Sequence, residues 1–595
     1  MQVGADTGGT FTDLVASDGR SVKVLSTPAD PGRAVADGLV RLAGPGVRPA
    51  LLAHGTTVAT NALLERRGAA VALVATEGLA DVIEIARQDR PSLYDQLASR
   101  PVPLVPRAWR YEVVGRLGAD GRELVPVDTA SLPAIDAAVE AVAVCLLHAD
   151  LDPAHERTVA AALRDRGLDV SCSHEVSPEV REYERTVTTV INAALRPRCR
   201  TYLRALTGLA DEALVMTSAG GLLPPGEAAE LPAALLLSGP AGGVRAAAAV
   251  AEANGFPDAV TFDMGGTSTD VCLVLGGAPA PAAQREVGGF TVRFPSLDVH
   301  TIGAGGGSIA RVDAGGALVV GPQSAGVEPG PACYGRGGTE PTVTDADLAA
   351  GRIPADAAFG DLALDAAAAR AALDRAVTAE GVIAVVDANM ERALRAVTVE
   401  RGVDPGGLAL VAFGGAGPLH ACALADALGM PVVIVPPRAG VLSAVGLLSA
   451  PPRRDLVRSW PAPDDHDGLD AALKALAAEV EGLVAGDVTV ETSLDGRYRG
   501  QSHELTVPSV DGFHAAHERR NGYARPDHPV EVVAIRAVAV GVPRVDIADL
   551  PVVERSLGAA RGPAVLADPD CTIWLADGWT PTPGAAGATV LRRAS

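Results

Sequence analysis

The chain has 595 residues, of which 48% are hydrophobic and 21% are charged, and its formal net charge is −22. This length exceeds what one hydrophobic core supports and predicts about three to five domains, and the composition is that of a folded protein. The negative charge disfavours nucleic acid and anionic membranes as partners.

Cysteine usage and hydropathy exclude further classes. The seven cysteines are scattered and form no C-x-x-C pair, which disfavours a zinc ribbon, a thioredoxin-type site and a disulfide framework. No apolar run reaches the ~20 residues that a membrane helix needs. The sequence enters its first predicted strand at once, which leaves no room for a signal peptide. We therefore expect a cytoplasmic protein.

One eight-residue pattern occurs twice, each time between short apolar runs: D-T-G-G-T-F-T-D at 6–13 and D-M-G-G-T-S-T-D at 263–270. A strand, a Gly-Gly turn and a second strand are typical of a β-hairpin. Glycines at the turn let a ligand approach the backbone, while threonine hydroxyls and amide groups can cradle an anion. Because Mg²⁺ favours carboxylate and phosphate oxygens, the repeated pattern predicts two phosphate hairpins closing on one nucleotide.

The residues of the two hairpins receive candidate roles on this basis. The catalytic, phosphate-orienting candidates are Asp6, Asp13, Asp263 and Asp270. Asp6 and Asp263 are the preferred Mg²⁺ ligands, although the pattern alone does not decide which acid holds the metal. The candidate phosphate contacts are Thr7, Gly8, Gly9, Thr10, Thr12, Gly265, Gly266, Thr267 and Ser268. An ordinary tight turn is the alternative, but it is weaker for two copies than for one.

Strands and helices alternate along the first half of the chain, which indicates an α/β sandwich. Helical spacing at 33–42 precedes a polar stretch, H-G-T-T-V-A-T-N-A-L-L-E-R-R-G at 54–68, that we interpret as a turn opening a helix. Candidate substrate contacts in it are His54, Thr56, Thr57 and Asn61, with helix capping as the alternative. Residues 87–106 form a loop region with prolines and arginines. Further strands are predicted at 70–75, 141–148, 169–173 and 214–217, and helices at 152–167 and 179–206.

The second half contains glycine-rich blocks at 298–308 and 326–345. Asp298 and His300 are two residues apart and would share one side of a strand, which suits a metal or a substrate carbonyl, although a structural histidine explains them equally well. A strand at 408–413 leads through G-G-A-G-P into helix 419–428, and the turn offers bare backbone to an adenosine or a ribose. Its candidate contacts are Gly414, Gly415 and Gly417, with a plain turn as the alternative. The Pro- and Asp-rich segment 451–467 is a predicted domain boundary.

Other nucleotide-binding designs do not fit. A P-loop needs a lysine after its glycines, whereas the two lysines, Lys23 and Lys474, follow no such loop. A dinucleotide fold needs G-x-G-x-x-G, and His420 stands at the third glycine position after 415–417. Serine-hydrolase elbows and H-E-x-x-H zinc helices are absent from the sequence, so any amide cleavage should be driven by ATP.

Paired D-x-G-G-T hairpins followed by a strand, G-G-x-G-P and a helix resemble the phosphate and adenosine elements of the actin/hexokinase/heat-shock-chaperone ATPases. More specifically, the chain resembles the hydantoinase A/5-oxoprolinase family over nearly its whole length. Besides the segments at 4–13, 54–68, 262–270 and 413–420, the matching motifs are E-Y-E-R-T (182–186), S-G-P-A-G-G (238–243), D-V-H-T-I-G-A-G-G-G-S-I-A (298–310) and R-Y-x-G-Q (497–501).

The resemblance implies an α/β fold of the actin/hexokinase (ribonuclease-H-like) type with duplicated phosphate hairpins and a smaller C-terminal β-containing domain. The expected domains are 1–175, 176–450 and 451–595. It implies ATP and Mg²⁺, or another divalent metal, as cofactors, and ATP-dependent opening of a hydantoin, 5-oxoproline or related lactam. It also implies a separate B-type subunit, and a hetero-oligomer or a homodimer as the assembly. The alternatives are the ATP-using subunit of an acetone-carboxylase-like complex and an actin- or chaperone-like gating ATPase.

Overall fold

The computed structural model describes residues 1–9, 11–27, 30–359, 362–373, 377–552, 555, 557, 560–568 and 570–593. Thr10, one of the candidate phosphate contacts, lies outside this part of the chain. Helices and strands are distributed over several sheets, so the fold is of the mixed α/β class that the alternation predicts. None of the described helices combines the length and the apolar character needed to cross a membrane.

The first hairpin lies inside a six-stranded sheet. In spatial order its strands are Ser21–Leu25, Phe11–Ala16, Gln2–Thr7, Leu51–Thr56, Glu212–Met216 and Leu222–Leu223. The hairpin strands are antiparallel, the next two strands continue parallel to the first hairpin strand, and the outermost strand on each side reverses direction. Val3, Ala5 and Leu14 are fully buried beneath helix Pro31–Ala43, whose spaced apolar residues cover one face of this sheet.

The second hairpin lies in another sheet with the same succession of strand directions. In spatial order its strands are Ala278–Pro279, Thr269–Leu275, Ala259–Met264, Ala409–Phe413, Val432–Val435, Thr589–Arg593 and Trp579–Pro583. Again an antiparallel hairpin is followed on one side by two parallel strands and then by a reversal. A short eighth strand, His300–Ile302, pairs with the outer strand of this hairpin. The two sheets therefore repeat one arrangement around the two copies of the sequence pattern.

Two helices that meet through glycines join these sheets. Gly446, in helix Leu442–Leu448, lies so close to Gly242, in helix Gly239–Ala253, that a Cβ atom there would be 1.8 Å from the Gly242 carbonyl oxygen. The same short helix lies against the first hairpin, because a Cβ atom on Gly4 would be 2.1 Å from the Ala444 carbonyl oxygen. Glycine at these contacts allows backbone to approach backbone, which sets how the sheets sit together.

Two smaller sheets surround this centre. One has the order Glu123–Asp128, Arg110–Leu117, Val71–Thr76, Ala141–Cys145 and Asp169–Cys172. The other has the order Arg453–Ser459, Val530–Gly541, Val488–Tyr498 and Leu505–Val507. The remaining strand pairs are Pro281–Val287 with Phe290–Leu297, Ser308–Val312 with Leu318–Ser324, Ala358–Phe359 with Leu362–Ala363, and Ala564–Ala567 with Thr572–Leu575.

Helix bounds agree with the sequence prediction in most places. The longer helices besides those already named are Val58–Leu64, Ala154–Arg164, Glu182–Leu206, Val343–Ala349, Ala366–Ala372, Ala379–Val397, Gly417–Leu428, Leu469–Glu481 and Phe513–Asn521, and the shorter ones are Val82–Ile85, Ser173–Val176 and Pro225–Glu230.

One local prediction is wrong. The polar stretch at 54–68 does not begin as a turn, because His54, Gly55 and Thr56 end a strand that runs parallel to Gln2–Thr7. The segment 451–467, the predicted domain boundary, contains strand Arg453–Ser459, which pairs along its whole length with Val530–Gly541. Strand Thr589–Arg593 afterwards returns to the sheet of the second hairpin.

Candidate active site

Both copies of the pattern form antiparallel hairpins with equivalent pairing. Asp6 is directly opposite Asp13 in the first hairpin, and Asp263 is directly opposite Asp270 in the second. Each turn is closed by the same hydrogen bond, from the amide of its first glycine to the carbonyl oxygen three residues later, at 3.0 Å in both hairpins. The duplication in sequence is therefore a duplication in backbone geometry.

The four hairpin carboxylates gather at one place, although they come from two sheets. Burial, followed by repulsion from Asp13 and then Asp270, raises the pKa of Asp6 to about 7 against the opposing effect of Lys23. Burial raises the pKa of Asp263 well above its ordinary value, and Asp270, Asp6 and Asp13 raise it further. Burial also raises the pKa of Asp270 to about 6. A cluster of half-buried acids that repel one another favours a cation or shared protons between them.

Lys23 supplies a positive charge inside this cluster, a role that the sequence did not reveal. It lies opposite Asp13 on the neighbouring strand, and its Nζ is 2.7 Å from Oδ1 and 2.8 Å from Oδ2 of that carboxylate. The ammonium opposes the rise in the pKa that burial produces at Asp13. The signal available in the sequence was its position in the strand that follows the hairpin, where cross-strand pairing brings it to Asp13.

The strand His300–Ile302 brings Thr301, rather than His300, to the hairpin acids. The Thr301 hydroxyl donates to Oδ1 of Asp270 at 2.5 Å and opposes the effect of burial on its pKa. Asp298 is bound by Arg285, at 3.0 Å, and by Arg401, so its charge is already balanced by arginines. Burial lowers the pKa of His300, and Arg285 and Arg401 lower it further. The metal role considered for Asp298 and His300 stays a prediction.

Glycine-rich segments frame the second hairpin. The amides of Gly306 and Gly307 donate to the carbonyl oxygens of Gly265 and Gly266, at 3.0 and 2.7 Å. A Cβ atom on Gly305 would lie 2.7 Å from the backbone of Gly266, so this position needs glycine. The block that begins at Asp298 therefore holds the turn of the second hairpin.

The predicted adenosine turn lies beside the same hairpin. Gly414 has a φ of +80°, and a Cβ atom on it would be 2.4 Å from Oδ1 of Asp263. The Ala416 amide donates to the Met264 carbonyl oxygen at 3.0 Å, and Gly417 begins the following helix. No described atom lies within 4 Å of the Cβ position on Gly415, which leaves bare backbone facing open space.

The four candidate substrate contacts divide into two groups. His54 has no exposed surface, its Nε2 contacts the Tyr202 hydroxyl, and burial lowers its pKa to about 4. Thr56 is also buried, and the substrate role of both side chains stays a prediction. Thr57 and Asn61 retain exposure, and the Thr57 hydroxyl donates to the Thr7 carbonyl oxygen at 3.3 Å. These two remain candidate contacts.

The phosphate-contact candidates divide in the same way. Thr7 and Thr12 are buried, and the Thr12 hydroxyl is 3.1 Å from the Ser26 hydroxyl, so both support the hairpin from inside. The turn residues reach the surface, partly or fully, and these are Gly8, Gly9, Gly265, Gly266, Thr267 and Ser268.

The hairpin acids also suit a metal. Oδ1 of Asp6 is buried and accepts no hydrogen bond from any residue in the described ranges. Among those residues, no three hairpin carboxylates bring oxygens within 4.8 Å of one another. A Mg²⁺ ion between them would therefore keep water and phosphate oxygens among its ligands, as this ion prefers.

Comparison with known proteins identifies the family of this chain. The hydantoinase/oxoprolinase N-terminal region matches residues 2–167, and the hydantoinase/oxoprolinase domain matches residues 185–456. The caprolactamase subunit alpha of Pseudomonas jessenii is 35% identical over 91% of this chain and 86% of its own length. The chain belongs to the hydantoinase/oxoprolinase family. The family resemblance found in the sequence motifs is thus confirmed.

Other members extend the comparison. The 5-oxoprolinase 1 of Arabidopsis thaliana is 31% identical over 84% of this chain, which spans only 46% of that longer protein. The crystal structure of the ATP-dependent caprolactamase from Pseudomonas jessenii matches all of both chains with a TM-score of 0.86 and 31% identity. The mixed α/β fold of this chain is therefore that of a hydantoinase/oxoprolinase-family protein.

Proposed function

We propose that the chain is an ATP- and Mg²⁺-dependent cyclic-amide hydrolase and the A-type subunit of a two-subunit enzyme. The observation that carries this proposal is the convergence of four hairpin carboxylates at one site. A caprolactamase and a 5-oxoprolinase that are similar to this chain act on lactams and thereby support the substrate class.

The chemistry follows from the weak electrophilicity of an unstrained lactam. Transfer of the γ-phosphoryl group breaks its bond to ADP and forms a bond to the lactam oxygen, which gives an imidate phosphate. One water adds to the ring carbon and the C–N bond breaks, leaving an amine and an acyl phosphate. A second water then gives a carboxylate and phosphate. Such a transfer needs positioned charge more than a protein nucleophile, and the hairpins provide such positions.

Within this reaction the residues of the chain would bind and orient the nucleotide and its metal ion. Asp6 and Asp263 would hold Mg²⁺, whose role is to neutralise phosphate charge, while Asp13 and Asp270 are fixed by Lys23 and Thr301. The exposed turn amides of both hairpins would contact phosphates, and Gly414, Gly415 and Gly417 would contact the adenosine. The repeated order of strands in the two sheets supports an actin/hexokinase-like duplication with one nucleotide between its halves.

The wider organisation belongs to the same proposal. Because the caprolactamase relative is a subunit, we expect a separate B-type partner. The expected assembly is a hetero-oligomer or a homodimer. The domain division at 175 and 450 and the cytoplasmic location stay predictions.

The first test measures ATP turnover against a panel of lactams, hydantoins and ketones, with and without the B-type subunit. We expect ADP formation coupled to a ring-opened product. Turnover coupled to a phosphorylated or carboxylated ketone would favour the acetone-carboxylase-like alternative, and ATP hydrolysis without any product would favour a gating ATPase.

The second test addresses the site. Asp263→Asn should abolish ATP hydrolysis while leaving the circular dichroism spectrum unchanged, because a neutral amide cannot balance the metal charge. Asp487→Asn is the control, since Asp487 is exposed and far in sequence from both hairpins. Near-normal turnover by the Asp263 variant would defeat the proposed role.

A further inference from the structure

The loop 86–103, called here the arched loop, presents large apolar side chains to solvent. Leu93 is 78% exposed, Tyr94 is 96% exposed, Leu97 is 92% exposed and Val102 is 77% exposed. Concentrations of apolar surface of this kind mark interaction sites, whereas single exposed residues do not. Tyrosine in particular gives much contact area for little loss of conformational entropy when it is buried in an interface.

Both ends of the arched loop are fixed to the body of the protein. Arg100 donates to the carbonyl oxygens of Ile85 and Asp89, each at 2.8 Å. Arg87 makes a bidentate pair with the buried carboxylate of Glu184, with distances of 2.7 and 2.6 Å. Arg66 donates to the Val102 carbonyl oxygen at 3.1 Å. The loop therefore has a defined path, and its apolar tips are held out from the surface.

Its tip has a defined turn as well. The Ser92 hydroxyl accepts from the amides of Tyr94 and Asp95, at 3.2 and 3.0 Å. Oδ1 of Asp95 accepts from the Leu97 amide at 2.9 Å. Serine and aspartate side chains order the backbone in this way at turns. Here they fix the backbone that carries the exposed side chains of Leu93, Tyr94 and Leu97.

An open cavity lies beside the base of the arched loop. Its volume is about 500 Å³, and its walls include Val102, Pro103 and Leu104 on the loop side and Ala62, Leu63 and Ala194 on the helix side. This space is large enough to receive side chains from another protein. Together, the projecting side chains and the cavity offer one partner both a protrusion and a recess.

We propose that the arched loop is the surface on which this chain binds its B-type subunit, an inference that rests on the proposed function. A second copy of this chain is disfavoured as the occupant, because each copy carries a net charge of −22. The plant 5-oxoprolinase, of which this chain spans 46%, carries a further half that could cover such a surface. The partner needs an apolar groove for Tyr94 and Leu97, which are 96% and 92% exposed.

The test uses the full chain and the B-type subunit encoded in the same genome, produced separately and mixed. Tyr94→Ala combined with Leu97→Ala should raise the Kd of the complex by about 100-fold, because each side chain loses its whole contact. The matched control combines Leu124→Ala with Val542→Ala, which lie outside the arched loop and are 66% and 63% exposed. It should keep the wild-type Kd, and both double variants should keep the melting temperature and the ATPase rate of the isolated chain.

Three outcomes of the binding measurements would overturn the proposal. They are failure of the wild-type proteins to form a complex, an unchanged Kd for the Tyr94/Leu97 variant, and loss of self-association by that variant instead of loss of the mixed complex. Normal complex formation with impaired turnover would also overturn it, since the loop would then be a lid. A complex that depends on the loop but opens no lactam would leave the docking surface standing and refute the proposed function.

Discussion

At the scale of single residues, the hairpin acids lower the stability of the fold and favour the binding of a cationic ligand. Asp6 is placed opposite Asp13, near Asp270 and Asp263, with one ammonium group among them. Carboxylates held in this way cost folding energy whenever they are ionised without a counter-ion. A metal bound with a nucleotide removes that cost, so binding and stability should be linked at this site.

The pH dependence of stability follows from Asp6. The pKa of this group is raised from 3.8 to about 7, so the folded chain holds the proton more tightly than the unfolded chain. Its contribution to stability is therefore fully present below pH ~4 and is lost as the pH rises to ~7. We expect the Tm of the metal-free protein to fall across this window, and to fall less in Asp6→Asn. Differential scanning fluorimetry measures both slopes, and equal slopes would contradict the assignment.

Lys23 gives a second prediction at this scale. Lys23→Met removes the partner of Asp13 and leaves four acids without their lysine, so ATP turnover should fall by at least ~10-fold. Because 29% of the lysine side chain is exposed, the loss of stability should be modest, about 1–2 kcal/mol. Lys474→Met is the matched control, since Lys474 is exposed on helix Leu469–Glu481. Equal turnover by the two variants would remove Lys23 from the site.

At the scale of elements, the turn after strand Ala409–Phe413 shapes the second hairpin. Gly414→Ala would place a methyl group 2.4 Å from Oδ1 of Asp263 at a left-handed backbone position. We expect the free energy of unfolding to fall by about 1–3 kcal/mol and the Tm to fall with it, because alanine disfavours this conformation and the carboxylate must move. Gly415→Ala adds a methyl group with no described atom within 4 Å and should leave the Tm unchanged. Thermal melts of the Gly414→Ala and Gly415→Ala variants, recorded without nucleotide, measure these two Tm values.

The elements also show what the sequence could predict. The hairpins were predictable because a Gly-Gly turn between apolar runs is a local signal, complete within eight residues. Thr301 and Tyr202 were not, because their roles depend on partners brought by distant strands and helices. His54 was misplaced because H-G-T-T resembles a polar turn, whereas pairing with Gln2–Thr7 makes it a buried strand end. Gly55 must lack a side chain there, since a Cβ atom would lie 2.9 Å from Oδ1 of Asp6.

At the scale of the whole molecule, the contact between helices Gly239–Ala253 and Leu442–Leu448 determines how the hairpins face each other. Gly446→Ala would place a methyl group 1.8 Å from the Gly242 carbonyl oxygen and force the two backbones apart, so we expect a destabilisation of about 1–3 kcal/mol and weaker nucleotide binding. Gly226→Ala is the control, because its Cβ position in another helix meets no described atom within 4 Å. Calorimetric melts and nucleotide titrations compare the two variants, and intact affinity in Gly446→Ala would show that the hairpins are positioned by other contacts.

The repeated order of strands has a consequence for the direction in which a nucleotide enters. Two hairpins with equivalent backbones would form a site in which a polyphosphate could bind in either of two directions with the same binding free energy. The side chains remove this degeneracy, because Asp13 is paired with an ammonium and Asp270 with a hydroxyl. We expect the terminal phosphate, which carries the greatest negative charge, to lie on the lysine side. A symmetric scaffold with one asymmetric cation would thus give a bound nucleotide a polarity, and that polarity would fix which phosphoryl group is offered for transfer.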